Sequence, residues 1–205
     1  MCIRDSYCPA PIVTKSVHEK VISRIVRPMF DHLSKMAIPY RGVLYVGLMI
    51  TDSGDPNVVE FNVRFGDPEC QITLPLIKTD LFTILHSAST DNLSSLEVEF
   101  HDAHALTIVL ASEGYPNKPI KGRVIEGISA NPANIALESS WVNHAGTKSV
   151  ENKIIANGGR VLSCSAMSKT LSDAAILAYD LIETITLEGG HYRSDIGGQI
   201  LSANR

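Results

Sequence analysis

In the stretch EFNVRFGDPE, Glu60, Asn62 and Arg64 take every second position, with Phe61, Val63 and Phe65 between them. Side chains alternate across a strand, so the polar three share one face and the apolar three the other. A carboxylate and an amide oxygen two residues apart are hard oxygen ligands of the kind Mg²⁺ takes, usually beside waters and nucleotide phosphates. Arg64 adds a planar fork suited to a carboxylate or phosphate. The pattern describes a face that holds an anion together with a metal, and it predicts that Phe61 and Phe65 are buried behind it. Spacing alone also fits a solvated edge strand whose charges pair with neighbours.

The elements that must position this face are legible around it. The apolar runs 43–50 and 58–65 flank TDSGDPN, a turn by its Gly, Asp, Pro and Asn content, so the face sits on the second arm of a β-hairpin. Upstream, Ser16 to Met36 reads as an amphipathic helix. Ser16 and Glu19 form its capping box, Val17, Val21, Ile25, Met29 and Leu33 its apolar stripe, and Pro28 should kink it. Downstream, Asp67 caps a helix with Pro68 at its first position. Thr79 and Asp80 cap another that turns Leu81, Ile84 and Leu85 inward, and Pro75 separates the two. From His86 to His104 the chain is polar and aperiodic, which sets a domain boundary near residue 100.

Beyond it, ALTIVLASEGYP, GRVIEGI, WVNHAGTK and KIIANGGRVLSCSAM alternate short strands with glycine turns. A helix follows, started by Thr170 and Asp173, lined by Leu171, Ala174, Ala178, Leu181 and Ile185, and ended by Gly189 and Gly190. His101 and His104 read as surface residues of the polar linker, Gly146 as turn chemistry, and Gly158 and Gly159 as a hairpin turn.

The 205 residues, 44% hydrophobic and 20% charged, suit one large domain or two small ones. A net charge of -4 without any basic run argues against nucleic acid as a partner. Cys2, Cys8, Cys70 and Cys164 are scattered, so free thiols are expected rather than a zinc site or disulfides. No run approaches the roughly 20 apolar residues of a membrane span, and the N-terminus lacks a signal-peptide core, so a cytoplasmic protein is expected. The opening MCIRDS fits no local element, and residues 1–6 read as a foreign leader.

VVEFNVRFGDPE, with PYRGVLYVGLMI before it, resembles the phosphoribosylamine–glycine ligases, also called glycinamide ribonucleotide synthetases, ATP-grasp enzymes of purine biosynthesis. The resemblance runs from YCPAPIVTKSVHEKV almost to the C-terminus and takes in KTDL, HAGTK, NGGRVL and YRSDIG in order. It implies an α+β fold. Residues 7–100 would be the C-terminal half of an ATP-grasp module, an antiparallel sheet with helices. Residues 101–205 would be a small β-rich domain resembling the C-terminal domain of biotin carboxylase.

By the same resemblance, Glu60 and Asn62 correspond to ligands of the Mg²⁺ or Mn²⁺ that bridges the phosphates of ATP. Arg64 corresponds to the arginine facing the acyl phosphate or substrate anion. Tyr7, Pro9 and Pro11 look like the end of a substrate-lining loop, and Asp67 joins the substrate-binding set. His144 is read as structural or interdomain rather than catalytic, and Arg193 with Asp195 as a tie between the domains.

The implied reaction joins glycine to 5-phosphoribosylamine with conversion of ATP to ADP and phosphate. The family's N-terminal domain, and the lysines and glycine-rich hairpin that close over the phosphates, have no counterpart in this sequence, so a fragment inactive alone is expected. The alternatives are another ATP-grasp carboxylate–amine ligase, a biotin carboxylase-like subunit, or a noncatalytic remnant or interaction module.

Overall fold

The computed structural model describes residues 6–198, which fold into two compact units. In chain order the elements are β1 (Ser6–Cys8), α1 (Lys15–Val21), α2 (Arg27–Ser34), β2 (Tyr45–Ile50), β3 (Pro56–Asn62), α3 (Cys70–Thr73), α4 (Leu81–Ser89), β4 (His104–Ala111) and β5 (Ile125–Glu126). There follow β6 (Ser139–His144), β7 (Thr147–Val150), β8 (Lys153–Ala156), β9 (Arg160–Ser168), α5 (Leu171–Glu183) and β10 (Thr186–Leu187). One unit is Pro9–Asp67 with Ile77–Phe100. The other takes in Ser6–Cys8, Pro68–Leu76 and the described residues from His101 onward.

The second unit is built on an antiparallel sheet of order β1-β4-β9-β6. Its central strands are buried on both sides, which is why β4 is apolar from Ala105 to Ala111 except at Thr107. The register sets Leu106 opposite Ala166, Ile108 opposite Cys164 and Leu110 opposite Leu162. Against them α5 lays Leu171, Ala174, Ala175, Ala178 and Ile182. Each fully buried Leu or Ile here contributes about 1.5–3 kcal/mol. Thr170 caps α5 as expected: its Oγ1 accepts from Asp173 N at 3.1 Å and donates to Asp173 Oδ2 at 2.6 Å.

The helix ends at Glu183, however, not at the glycine pair. Past it, Leu187 pairs in β10 with Ile125 of β5 and, like Ile185, is buried in the core. Gly189 and Gly190 follow that strand. On the opposite face of the sheet Ile72 and Leu76 cover Ala105, Trp141 and Met167. A buried hydroxyl row there is satisfied internally, with Thr107 and Ser165 2.7 Å apart and Asn143 Nδ2 donating to Ser165 Oγ at 2.9 Å.

Ser6, grouped with the leader by sequence, is the buried first residue of β1 opposite Thr107; residues 1–5 lie outside the described residues. The helix expected to start at Pro68 starts at Cys70, with Glu69 at the N-cap and no side-chain capping bond. Pro68 O accepts from Gln71 N, so Asp67 and Pro68 form the turn before the helix.

In the first unit Thr14, not Ser16, caps α1, its Oγ1 accepting from Val17 N at 3.3 Å. Pro28 does not end the helix. Between α1 and α2 the chain makes a π turn, Ile22–Val26, in which Arg27 N bonds back to Ile22 O. That wider spacing carries the bonding register up to a proline that has no N–H to give. Lys20 Nζ and Arg24 Nη1 both donate to Asp55 Oδ1 at 2.9 Å, and Lys20 Nζ also donates to Gly54 O at 3.0 Å, pinning the helix to the hairpin turn. Asp80 caps α4 through Thr83 N at 2.8 Å. Leu81 and Ile84 are half-buried, but Leu85 is exposed. No helix among the described residues is long and apolar enough to cross a membrane.

Candidate functional site

β2 and β3 form the expected hairpin, paired Tyr45 to Asn62, Val46 to Phe61 and Gly47 to Glu60. There the register slips: Leu48 opposes Val58, which leaves Val59 as the extra residue of a β-bulge. Paired residues point to the same side, so Glu60, Asn62, Tyr45 and Gly47 share one face. Gly47 is buried in that patch. A Cβ built on it would lie 3.0 Å from Glu60 Cγ and 3.6 Å from Tyr45 Cε1, so the glutamate stem and the tyrosine ring both close over the glycine.

Two parts of the strand reading need correction. Arg64 is not on the strand, which ends at Asn62; it lies in the bend beyond, with Nη1 donating to Phe65 O at 2.9 Å. Nor is the opposite face buried: Phe61 is 37% and Val63 70% exposed, and only Phe65 of the three is half-buried. The reason is architectural. A two-stranded ribbon with no further strand beside it covers neither face fully.

None of the other expected site residues is on β2 or β3. Tyr7 lies in β1 opposite Leu106 and packs against the core of the unit that contains α5. Pro9 and Pro11 are exposed, Pro11 in a turn closed by Val13 N donating to Ala10 O at 2.9 Å. Asp67 is exposed in the turn before α3. Tyr45 and Gly47 belong to the patch and were not singled out in the sequence. The available signal was a glycine inside a strand, which marks a bulge or a close approach.

Among the described residues no group of three or more His, Cys, Asp or Glu could hold a metal. The donor set that exists, one carboxylate and one amide oxygen on an exposed ribbon, fits a hard divalent ion that takes its remaining ligands from water and phosphate.

Other polar candidates are engaged elsewhere. His144 Nδ1 lies 3.0 Å from Thr147 Oγ1 across the β6–β7 turn. His104 is half-buried at the head of β4 with Nδ1 buried and unpartnered, unlike the exposed His101, so it is not the surface residue expected. Arg193 grips Asp195 through two bonds of 2.7 Å and lowers its pKa, while Tyr179 OH donates to Arg193 O, all within one unit. Gly146 permits a close approach rather than a special turn, since a Cβ there would meet Gly158 Cα at 2.8 Å.

Comparison with known proteins places these elements. The model of the phosphoribosylglycinamide synthetase ATP-grasp (A) domain matches residues 5–70, and that of the C domain of the same enzyme matches residues 105–199. Phosphoribosylamine–glycine ligase of Synechocystis is 42% identical over 96% of this chain, which covers 46% of that relative. The trifunctional purine biosynthetic protein adenosine-3 of Gallus gallus is 42% identical over 94% of the chain, covering 19% of it. The chain thus spans about half the length of the curated ligases it matches.

Among solved structures, phosphoribosylamine–glycine ligase of Thermotoga maritima superposes with a TM-score of 0.75 at 32% identity, over 92% of this chain and 45% of that one. The biotin carboxylase domain of the Hydrogenobacter thermophilus 2-oxoglutarate carboxylase gives 0.61 at 17% identity over 91% of this chain and 39% of that one, a likeness of fold. With both of its matched segments drawn from one enzyme and its fold shared with that enzyme, the chain belongs to the phosphoribosylamine–glycine ligase family.

Proposed function

We propose that this chain supplies the metal-bearing hairpin and the β-rich domain of an enzyme that joins glycine to 5-phosphoribosylamine at the expense of ATP. The observation that carries the reading is that Glu60, exposed, and Asn62, half-buried, share one hairpin face inside the segment matched by the ATP-grasp domain. A carboxylate oxygen of glycine attacks the γ-phosphorus, ADP departs, and the amine then displaces phosphate from the acyl carbon, losing a proton. Glu60 and Asn62 would hold the Mg²⁺ or Mn²⁺, which supplies charge neutralisation at the phosphates when bound. Arg64, placed one step beyond the strand, serves the transferring phosphoryl group or the substrate anion. Asp67, Pro9, Pro11 and Tyr7 line the substrate side. The residues 7–100 then form the ATP-grasp part and 101–205 the C-terminal domain, in a cytoplasmic enzyme that acts on neither nucleic acid nor membrane.

The test joins this chain to the upstream half of the Synechocystis relative and compares Glu60→Ala with the parent chimera. Removing one charged ligand from a phosphoryl-transfer site costs on the order of a few kcal/mol of transition-state stabilisation, so turnover should fall by roughly 10²–10³ at limiting Mg²⁺. Undiminished turnover there excludes the ligand role.

A further inference from the structure

We propose that Gly47 is a positioning residue for the metal ligand Glu60, a role that rests on the ligand reading above. Three observations converge on it. Gly47 and Glu60 are directly paired across the hairpin; Gly47 is buried; and a side chain at Gly47 would press on Glu60 Cγ at 3.0 Å, with Tyr45 Cε1 at 3.6 Å closing the other side. The contact is tighter than ordinary van der Waals approach, so any Cβ there moves either the glutamate stem or the strand.

The bulge explains why the stem is there at all. With Val59 left as the extra residue, the ladder restarts at Glu60, and its carboxylate-bearing side chain is set on the same side as Asn62 and over the glycine. A glycine inside a strand costs backbone entropy and packs nothing itself, so its presence opposite the bulge is accounted for by the space it leaves. Gly47 touches no reactant. It acts through Glu60, by letting the carboxylate stem lie flat across β2 beside the Tyr45 ring.

The first measurement needs only the 205-residue chain: NOEs between Gly47 Hα and Glu60 Hγ should be strong, and their absence overturns the proposal. The second uses the chimera described above, with Gly47→Ala and Gly47→Val read by Mn²⁺ binding in the presence of ATP, by EPR. Shifting a group that orients a metal ligand costs about 10–100-fold in metal affinity. Loss in that range, with the melting temperature and the KM for glycine held, supports positioning. Unchanged Mn²⁺ affinity in Gly47→Ala, or a loss matched by an equal loss of stability and glycine affinity, overturns it. Glu60→Ala separates the two levels: if it weakens Mn²⁺ binding and the Gly47 variants do not, the ligand reading stands and the positioning role falls. If Glu60→Ala leaves binding intact, both fall.

Discussion

The ring of Tyr115 lies on Gly159: a Cβ at that glycine would fall against Cδ2 and 2.7 Å from Cε2. The loop is held over the β8–β9 turn by Ser112, whose Oγ donates to Gly158 O at 2.8 Å and whose N donates to Gly159 O at 2.9 Å. Gly159→Ala therefore overpacks a braced contact and should destabilise the chain by about 1–3 kcal/mol. Urea unfolding measures it. In a Tyr115→Ala background the same substitution should cost much less, because the obstructing ring is gone; equal cost in both backgrounds would show that the ring is not the obstacle.

Asp55 makes acid stability sensitive to one surface carboxylate. Hydrogen bonds from Lys20, Ser53 and Arg24 hold its pKa down at about 2, below the ordinary 3.8. A carboxylate with a lowered native pKa contributes stability that is complete above the unfolded value and lost as pH falls through the native one. The window is thus pH 4 down to pH 2. Asp55→Asn should flatten the fall of the urea midpoint across that window while leaving the hairpin's dispersion of NMR shifts in place; an unchanged slope would show that the α1–hairpin tie contributes nothing measurable.

Cys164 is buried in the sheet core opposite Ile108 and Val142, and burial pushes its thiol up to about 12 from 9.0. The thiolate is the nucleophile, so native Cys164 should be inert to a disulfide reagent at pH 8 and react only after unfolding. Cys8 is shifted upward by burial as well, so it should lag behind an ordinary exposed thiol. A native pKa above the unfolded one gives stability that is present below pH 9 and fades as pH climbs toward 12. Mass spectrometry of labelled peptides, with and without urea, checks the order of reaction; rapid native labelling of Cys164 would contradict it.

What the sequence disclosed followed physical range. Local devices were readable because their partners are three or four residues away: the Thr170–Asp173 cap, the Asp80 cap, and the turn between β2 and β3. The candidate site was readable as far as strand alternation extends, which gave Glu60 and Asn62 on one face. It failed for Arg64, because nothing in alternation says where a strand ends, and for Phe61, because burial depends on which neighbour covers a ribbon. The Val59 bulge and the fit of Glu60 over Gly47 are cross-strand facts, invisible without the register. Thr14 displaced Ser16 as cap since both are capable residues and their choice hinges on where the chain enters the helix.

The polypeptide of these 205 residues, assayed by itself, should neither hydrolyse ATP nor form glycinamide ribonucleotide. Glu60 and Asn62 offer two metal ligands on an open ribbon, and the matched ligases are about twice as long as the chain. Phosphoryl transfer needs donors on both sides of the phosphates and exclusion of water, and an exposed hairpin face supplies neither. The hairpin also leaves Met49, Val59 and Val63 exposed at 60–70%, apolar surface that favours self-association. The assay is purified chain with ATP, Mg²⁺, glycine and freshly generated 5-phosphoribosylamine, read by phosphate release and product mass. Fusion to the upstream half of the Synechocystis relative should restore turnover, by supplying donors on the other side of the phosphates, and should lower the tendency to aggregate, by covering apolar surface of the hairpin. Turnover by the isolated chain well above its Glu60→Ala variant would show that the second wall of the site is already present in these residues.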